Sequence, residues 1–327
     1  MYWSAAGTVY VKACRIKGAV ILMYHSVPRP ADERWIDPRN RICPGAFVTQ
    51  MRFLARHRRV IPMSRLIDML DRRDDIMPGT VILTFDDGYR DTMEVAAAIL
   101  QRYSLPALLY LPTGCVSRGE THWADRLWTL FTQRTRDRLV LDESAPGLHD
   151  LSDRETAQRA YTHLAGRLLT ALRPEREALL SEIAAQLRAK EAPPCLTLTW
   201  DDVRSMRSRF PLFAFGTHTV DHTDLSSHEG GIAESELRQC VTDFQCELGE
   251  PPRHFSFPYG RYSRQAAQLA MSHGLRSAVA SSSSDLVCRG ADPFCLPRVC
   301  PPRSLTLFRF WTSGAYPGLT RTLLGRS

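Results

Sequence analysis

Thr80-Val81-Ile82-Leu83-Thr84-Phe85-Asp86-Asp87-Gly88 is the stretch on which the fold turns. β-Branched and apolar residues run here without alternation, the pattern of a strand buried on both faces. The run stops at two adjacent carboxylates. In α/β folds reactive groups gather where strands end. Paired carboxylates are costly to bury unless something cationic holds them. Neighbouring residues leaving a strand point apart, so one can bind a metal while the other takes a proton. The alternative reading is an Asp-Gly turn with surface carboxylates.

Outward from this strand, the pattern predicts further strands at residues 18–24, 59–62, 107–111, 212–216, 254–257 and 277–281. Helical periodicity falls between them, over residues 47–55, 64–70 (capped by Ser64), 91–103, 234–248 and 265–273, with another helix starting at Asp201. Strand–helix–strand at this spacing predicts a parallel α/β fold. The rhythm breaks at residues 120–195, where no strand is legible and residues 155–169 and 173–190 read as charged, Ala/Leu-rich helices. Setting that stretch aside leaves a core of barrel size. The expectation is one domain over residues 1–327 with a helical insertion at 120–195.

Of 327 residues, 44% are hydrophobic and 24% charged, which excludes a disordered or fibrous chain. No apolar run approaches the ~20 residues a membrane span needs, and residues 18–24 are too short for a secretion signal. The expected location is cytoplasmic. The nine cysteines show no CxxC spacing, which argues against a disulfide framework or a Cys-based zinc site. The net charge of +7 comes from both ends: residues 1–80 hold 14 basic against 7 acidic side chains, and only three cations in the chain are Lys. An Arg-rich rim suits an anionic glycan or lipid phosphate; solvated faces are the plainer reading. No zinc finger, aromatic RNA-binding signature or basic zipper is present, so no nucleic-acid partner is expected.

Two more strand ends carry chemistry. Phe213-Ala214-Phe215 leads into His218-Thr219-Val220-Asp221-His222. Positions i and i+4 share a face if the segment is helical, a geometry that suits a metal. One Asp and two His leave room for a water, as a catalytic site requires. Phe255-Ser256-Phe257-Pro258-Tyr259-Gly260 ends a third strand, where the Tyr259 N–H can face a reacting oxygen. Taken alone, an HxxxH is often accidental and a Pro-Tyr-Gly is an ordinary turn.

In order, TFDDG, HTVDH and FPYG resemble the motifs of the NodB-type polysaccharide deacetylases over about 250 residues. The resemblance implies a distorted (β/α)7 barrel. It implies that Asp87, His218 and His222 hold a divalent metal, commonly zinc, and that Asp86 is the general base. Two departures stand out. The third motif usually carries an Arg that steers the catalytic Asp, and here that place is Ser256. The usual C-terminal Leu-x-His, source of the general acid, is absent. Leu22-Met23-Tyr24-His25 is similar to permuted members of the family, including poly-N-acetylglucosamine deacetylases, in which the acid-bearing strand comes first. His25 is then the expected acid, against a capped core histidine. Leu296-Pro297-Arg298 is similar to the C-terminal Leu-Pro-Arg of those members, and Arg298 becomes the candidate for the missing Arg, against a surface Arg.

The implied reaction is hydrolysis of an N-acetyl group on an amino sugar of a polysaccharide or lipid-linked glycan. Pro258 and Tyr259 belong to the expected substrate side. Trp123 and Trp128 open the insertion and either line a glycan groove or anchor the insertion. Residues 305–323 mix aromatic and basic side chains and either touch a membrane surface or pack on the barrel. The rival functions are a glycan-binding barrel with little or no turnover and a deacylase of a small sugar metabolite. A magnesium phosphohydrolase fits worse, because magnesium prefers oxygen ligands to paired His.

Overall fold

The computed structural model describes residues 16–141, 147–228, 230–281 and 286–315. Its strands, numbered in chain order, are β1 Ala19–Tyr24, β2 Arg59–Val60, β3 Thr80–Phe85, β4 Ala107–Leu111, β5 Arg138–Leu141, β6 Gly147–Asp150, β7 Phe213–Thr217, β8 His254–Ser256, β9 Ser277–Ser281 and β10 Leu296–Val299. β1 and β3 are buried along their whole length, as their unbroken apolar sequences require.

Seven strands close a parallel barrel in the order β1-β3-β4-β7-β8-β9-β10, with helices packed around it. Closure is the pairing of β1 with β3 on one side, in register from Ala19↔Thr80 to Tyr24↔Phe85, and with β10 on the other. β2 stands outside the ring, paired with the start of β3 below the level at which β4 joins it. The barrel expected from the motifs is therefore present. β10, left unassigned by the sequence pattern, is the strand that completes it.

Local reasons explain the smaller departures. The helix expected to be capped by Ser64 starts at Met63, with Pro62 as its extended cap residue. The helix after the Asp-Asp-Gly stretch opens as a π turn, Thr92–Ala96, before becoming regular over Ala97–Arg102.

Between β4 and β7 the chain leaves the barrel and builds its own apolar cluster. Trp123, Leu127, Tyr161, Leu164 and Leu180 meet there from the helices Trp123–Thr132, Arg154–Thr170 and Arg173–Leu187. No strand was expected in this region, yet β5 and β6 form an antiparallel hairpin. The strands are too short to show a period, and Leu139 anchors β5 in the cluster.

At the C-terminal end, the helix Leu305–Trp311 buries Phe308 against Phe53 (ring centroids 6.2 Å), and Arg58 Nη2 donates to the Arg309 carbonyl at 2.8 Å. This part of residues 305–323 packs on the barrel. Residues 316–323 lie outside the described residues. Among the described residues no helix is long and apolar enough to cross a membrane, and the cysteines are free.

Candidate active site

β1 lies between β3 and β10, so His25 and Asp86 leave neighbouring strands at one end of the barrel, with Arg298 inside the strand on the other side of β1. Asp86 N–H donates to the Tyr24 carbonyl (3.0 Å), fixing Asp86 beside His25. Ile21 pairs with Arg298 across the β1–β10 seam. From there the Arg298 side chain reaches inward, fully buried, and forks onto Asp86: Nη1 donates to Oδ1 at 2.7 Å and Nη2 to Oδ2 at 2.6 Å. Nη2 also donates to Ser256 Oγ (2.7 Å) and Nη1 to Thr84 Oγ1 (3.2 Å). Ser256, small where an Arg was expected, leaves room for a guanidinium that arrives from β10 instead. Burial pushes the Asp86 carboxyl up. Arg298, and after it His218, outweigh that and hold it below its ordinary value.

Asp87 turns the other way. Its φ of +69° takes it off the strand direction, and Oδ1 faces two imidazoles: His222 Nε2 at 3.3 Å and His218 Nε2 at 3.5 Å. His218 Nδ1–H donates to the Ser256 carbonyl (2.7 Å), which fixes the tautomer and leaves an Nε2 lone pair toward Asp87. Burial drives the His218 pKa down to about 4, so its imidazole is neutral near pH 7. Burial opposes ionisation of Asp87, but His222 and then His122 pull its carboxyl well below the usual range. Asp87 Oδ1 and His222 Nδ1 are buried without a hydrogen-bond partner. An ionised carboxylate with an orphaned oxygen among imidazole rings is a donor set that suits a divalent cation.

His218 and His222 do not share a helix face, as the spacing suggested. They flank a turn in which Thr219 (φ +62°) and His222 (φ +54°) are left-handed, and the turn brings their rings to 4.7 Å. With Asp87 and Tyr259 (φ +59°), these are four of the seven non-glycine residues at positive φ among the described residues. Such conformations persist only where the surroundings impose them. Gly260 is part of that imposition. Its φ is +66°, and a Cβ there would overlap the Ser281 side chain.

His25 is half-buried and acts electrostatically on both Asp86 and Asp87. The loop behind it is held by Asp91, which accepts from Ser26 Oγ at 2.5 Å and from Val27 N–H at 2.9 Å. Pro258 is buried beneath Tyr259, whose ring meets that of His222 edge-on at 4.5 Å. Trp123 offers no open sugar face. It is only 7% exposed, and its indole N–H donates to Tyr259 Oη at 3.0 Å. Trp128 donates its indole N–H to the Arg34 carbonyl (3.0 Å) and packs edge-on against Tyr161. Both therefore follow the anchoring alternative.

One neighbour of this cluster escaped the sequence reading. His122, at the start of the helix Trp123–Thr132, is buried with its ring edge-on to His222 at 4.5 Å. One ligand atom each from Asp87, His122 and His222 lie within 4.8 Å of one another. The signal was a lone His ahead of a Trp, with no spacing to any other ligand.

Comparison with known proteins gives a consistent family. Residues 74–278, more than half of the chain, match the family model described as polysaccharide deacetylase. No curated protein sequence matches. Among solved structures, IcaB from Ammonifex degensii is similar with a TM-score of 0.59 and 18% identity, covering 91% of this chain and 98% of that one. The Streptococcus pyogenes deacetylase PplD, solved in complex with acetate, has a TM-score of 0.58, 16% identity and coverage of 91% and 99%. A de-N-acetylase from Aggregatibacter actinomycetemcomitans gives 0.56, 16%, and 90% and 99%. These likenesses concern the fold, and they agree with the match in sequence: the chain belongs to the polysaccharide deacetylase family.

Proposed function

We propose that the protein is a metal-dependent hydrolase that removes N-acetyl groups from an amino sugar in a polysaccharide or lipid-linked glycan. Family membership supports an N-deacetylase. The observation that carries the rest is the opposite orientation of two adjacent carboxylates: Asp86 forked by Arg298, and Asp87 facing His218 and His222.

Asp87, His218 and His222 would hold the ion. When bound there, a divalent cation, zinc being the usual choice for this donor set, makes a water acidic and polarises the amide carbonyl. The remaining work falls to side chains. Asp86, kept anionic and aimed by Arg298, takes the proton of the attacking water. The Tyr259 N–H supports the carbonyl oxygen as charge develops on it. His25, just after the adjacent strand β1, gives its proton to the departing amine, which is otherwise a poor leaving group. As the part-exposed members of the site, His25 and Tyr259 form the side from which a glycan approaches.

A glycan-binding barrel without turnover was favoured only by the missing third-motif Arg, and Arg298 answers that need. The test is acetate release from N-acetylglucosamine oligomers, a lipid-linked N-acetyl sugar and monomeric N-acetyl sugars. Release from a polymeric or lipid-linked substrate supports the proposal. Release from monomers alone would mean a small-metabolite deacylase, and glycan binding with no release from any substrate would mean the non-catalytic reading.

A further inference from the structure

We propose that His122 is a further protein ligand of the same cation, so that the insertion, and not the barrel alone, completes the metal centre. This rests on the reading above of Asp87, His218 and His222.

Three of the four groups converge closely, and His218 joins them through Asp87 Oδ1, 3.5 Å from its Nε2. Two atoms bound to one ion at about 2.1 Å sit no more than about 4.2 Å apart. The ligand atoms of Asp87, His122 and His222 all lie within 4.8 Å of one another, so small side-chain rotations bring them to that distance. His122 Nε2 and Asp87 Oδ1 are both buried without a hydrogen-bond partner. A polar atom left in that state is costly unless something else occupies it.

The competing use of this ring is weak. Its Nδ1 caps the helix by accepting from the Ala124 N–H at 3.4 Å, long for a hydrogen bond. If the ring proton moves to Nδ1, that contact is lost and Nε2 gains the lone pair a metal needs.

The position of His122 is also built. One turn along the same helix, Asp125 accepts from Tyr89 Oη (2.6 Å), and Tyr89 follows directly after Gly88. Arg176, from the helix Arg173–Leu187, donates to the Asp221 carbonyl at 2.7 Å, within the turn that carries His222. Trp123 is tied to Tyr259. The insertion thus grips each loop that bears a ligand. With four protein ligands, a catalytic ion would need a further place for water.

The experiment uses the full chain, stripped of metal and titrated with Zn2+ against a chromophoric chelator, beside His122→Asn and His218→Ala. Asn is a good helix cap, so His122→Asn removes the imidazole without removing the cap. Zn2+ affinity of His122→Asn should fall at least about tenfold, since the loss of outer partners alone costs ~10–100-fold. X-ray absorption of the Zn2+-loaded wild type should count three imidazoles, a readout that needs no variant. Two imidazoles, or unchanged affinity in His122→Asn while His218→Ala loses Zn2+, would overturn the role of His122 and leave the three-residue site standing. A wild type that binds no Zn2+ or other divalent ion would overturn both.

Discussion

Arg298 and Asp86 lie 212 positions apart in sequence and share two hydrogen bonds of 2.7 and 2.6 Å, with both side chains buried. The fork keeps Asp86 ionised against the cost of burial and fixes the direction of both its oxygens.

Arg298→Lys keeps the charge and loses the fork. Its kcat should fall about 10–100-fold with metal content unchanged. Because Arg298 depresses the Asp86 pKa, the acid limb of kcat/KM should move to higher pH in the variant. An unmoved limb would mean that Asp86 is not the titrating base.

Asp86→Asn and His25→Ala remove the proposed base and acid. Each should cost about 10²–10⁴-fold in kcat. Metal content, read by elemental analysis, should survive in both. Near wild-type turnover in either variant removes the role assigned to that residue.

His218→Ala should lose metal and acetate release together. The Ser256 carbonyl that orients His218 loses its partner as well, so added zinc should not rescue the variant at ordinary concentrations. Full metal content in His218→Ala would show the ligand set to be wrong.

Asp125 gives a pH dependence of stability. Burial pushes its carboxyl up to about 7, against the opposing bonds from Tyr89 and the Asp37 N–H. The unfolded chain releases this proton near the ordinary value of 3.8, the folded chain only near 7. The favourable contribution is therefore complete below the unfolded pKa and is lost as pH rises from about 4 to 7. Asp125→Asn cannot ionise, so its urea midpoint relative to wild type should rise across that window and level off above it. Parallel midpoints from pH 4 to 8 would contradict the assignment.

Much of this site was legible because its parts sit at strand ends. The residues of β3 can hardly form anything but a buried strand, and the carboxylates follow at once. Arg298 could be read only through its Leu-Pro-Arg setting, since nothing local marks it as buried. The i, i+4 spacing of His218 and His222 marked two rings that do come together, but by another geometry: a left-handed turn and not a helix face. Trp123 looked like a sugar platform because an indole has a face, and a single hydrogen bond to Tyr259 turned that face inward. His122 gave only the signal of a lone His, because its partners Asp87 and His222 come from the loops after β3 and β7 and no sequence spacing encodes that approach.

The most direct test is acetate release as divalent metal is returned to chelator-stripped protein. The account predicts no release from the stripped protein and a rise that breaks at one metal ion per chain, with no such rise in His218→Ala. Undiminished release from fully stripped protein would contradict it.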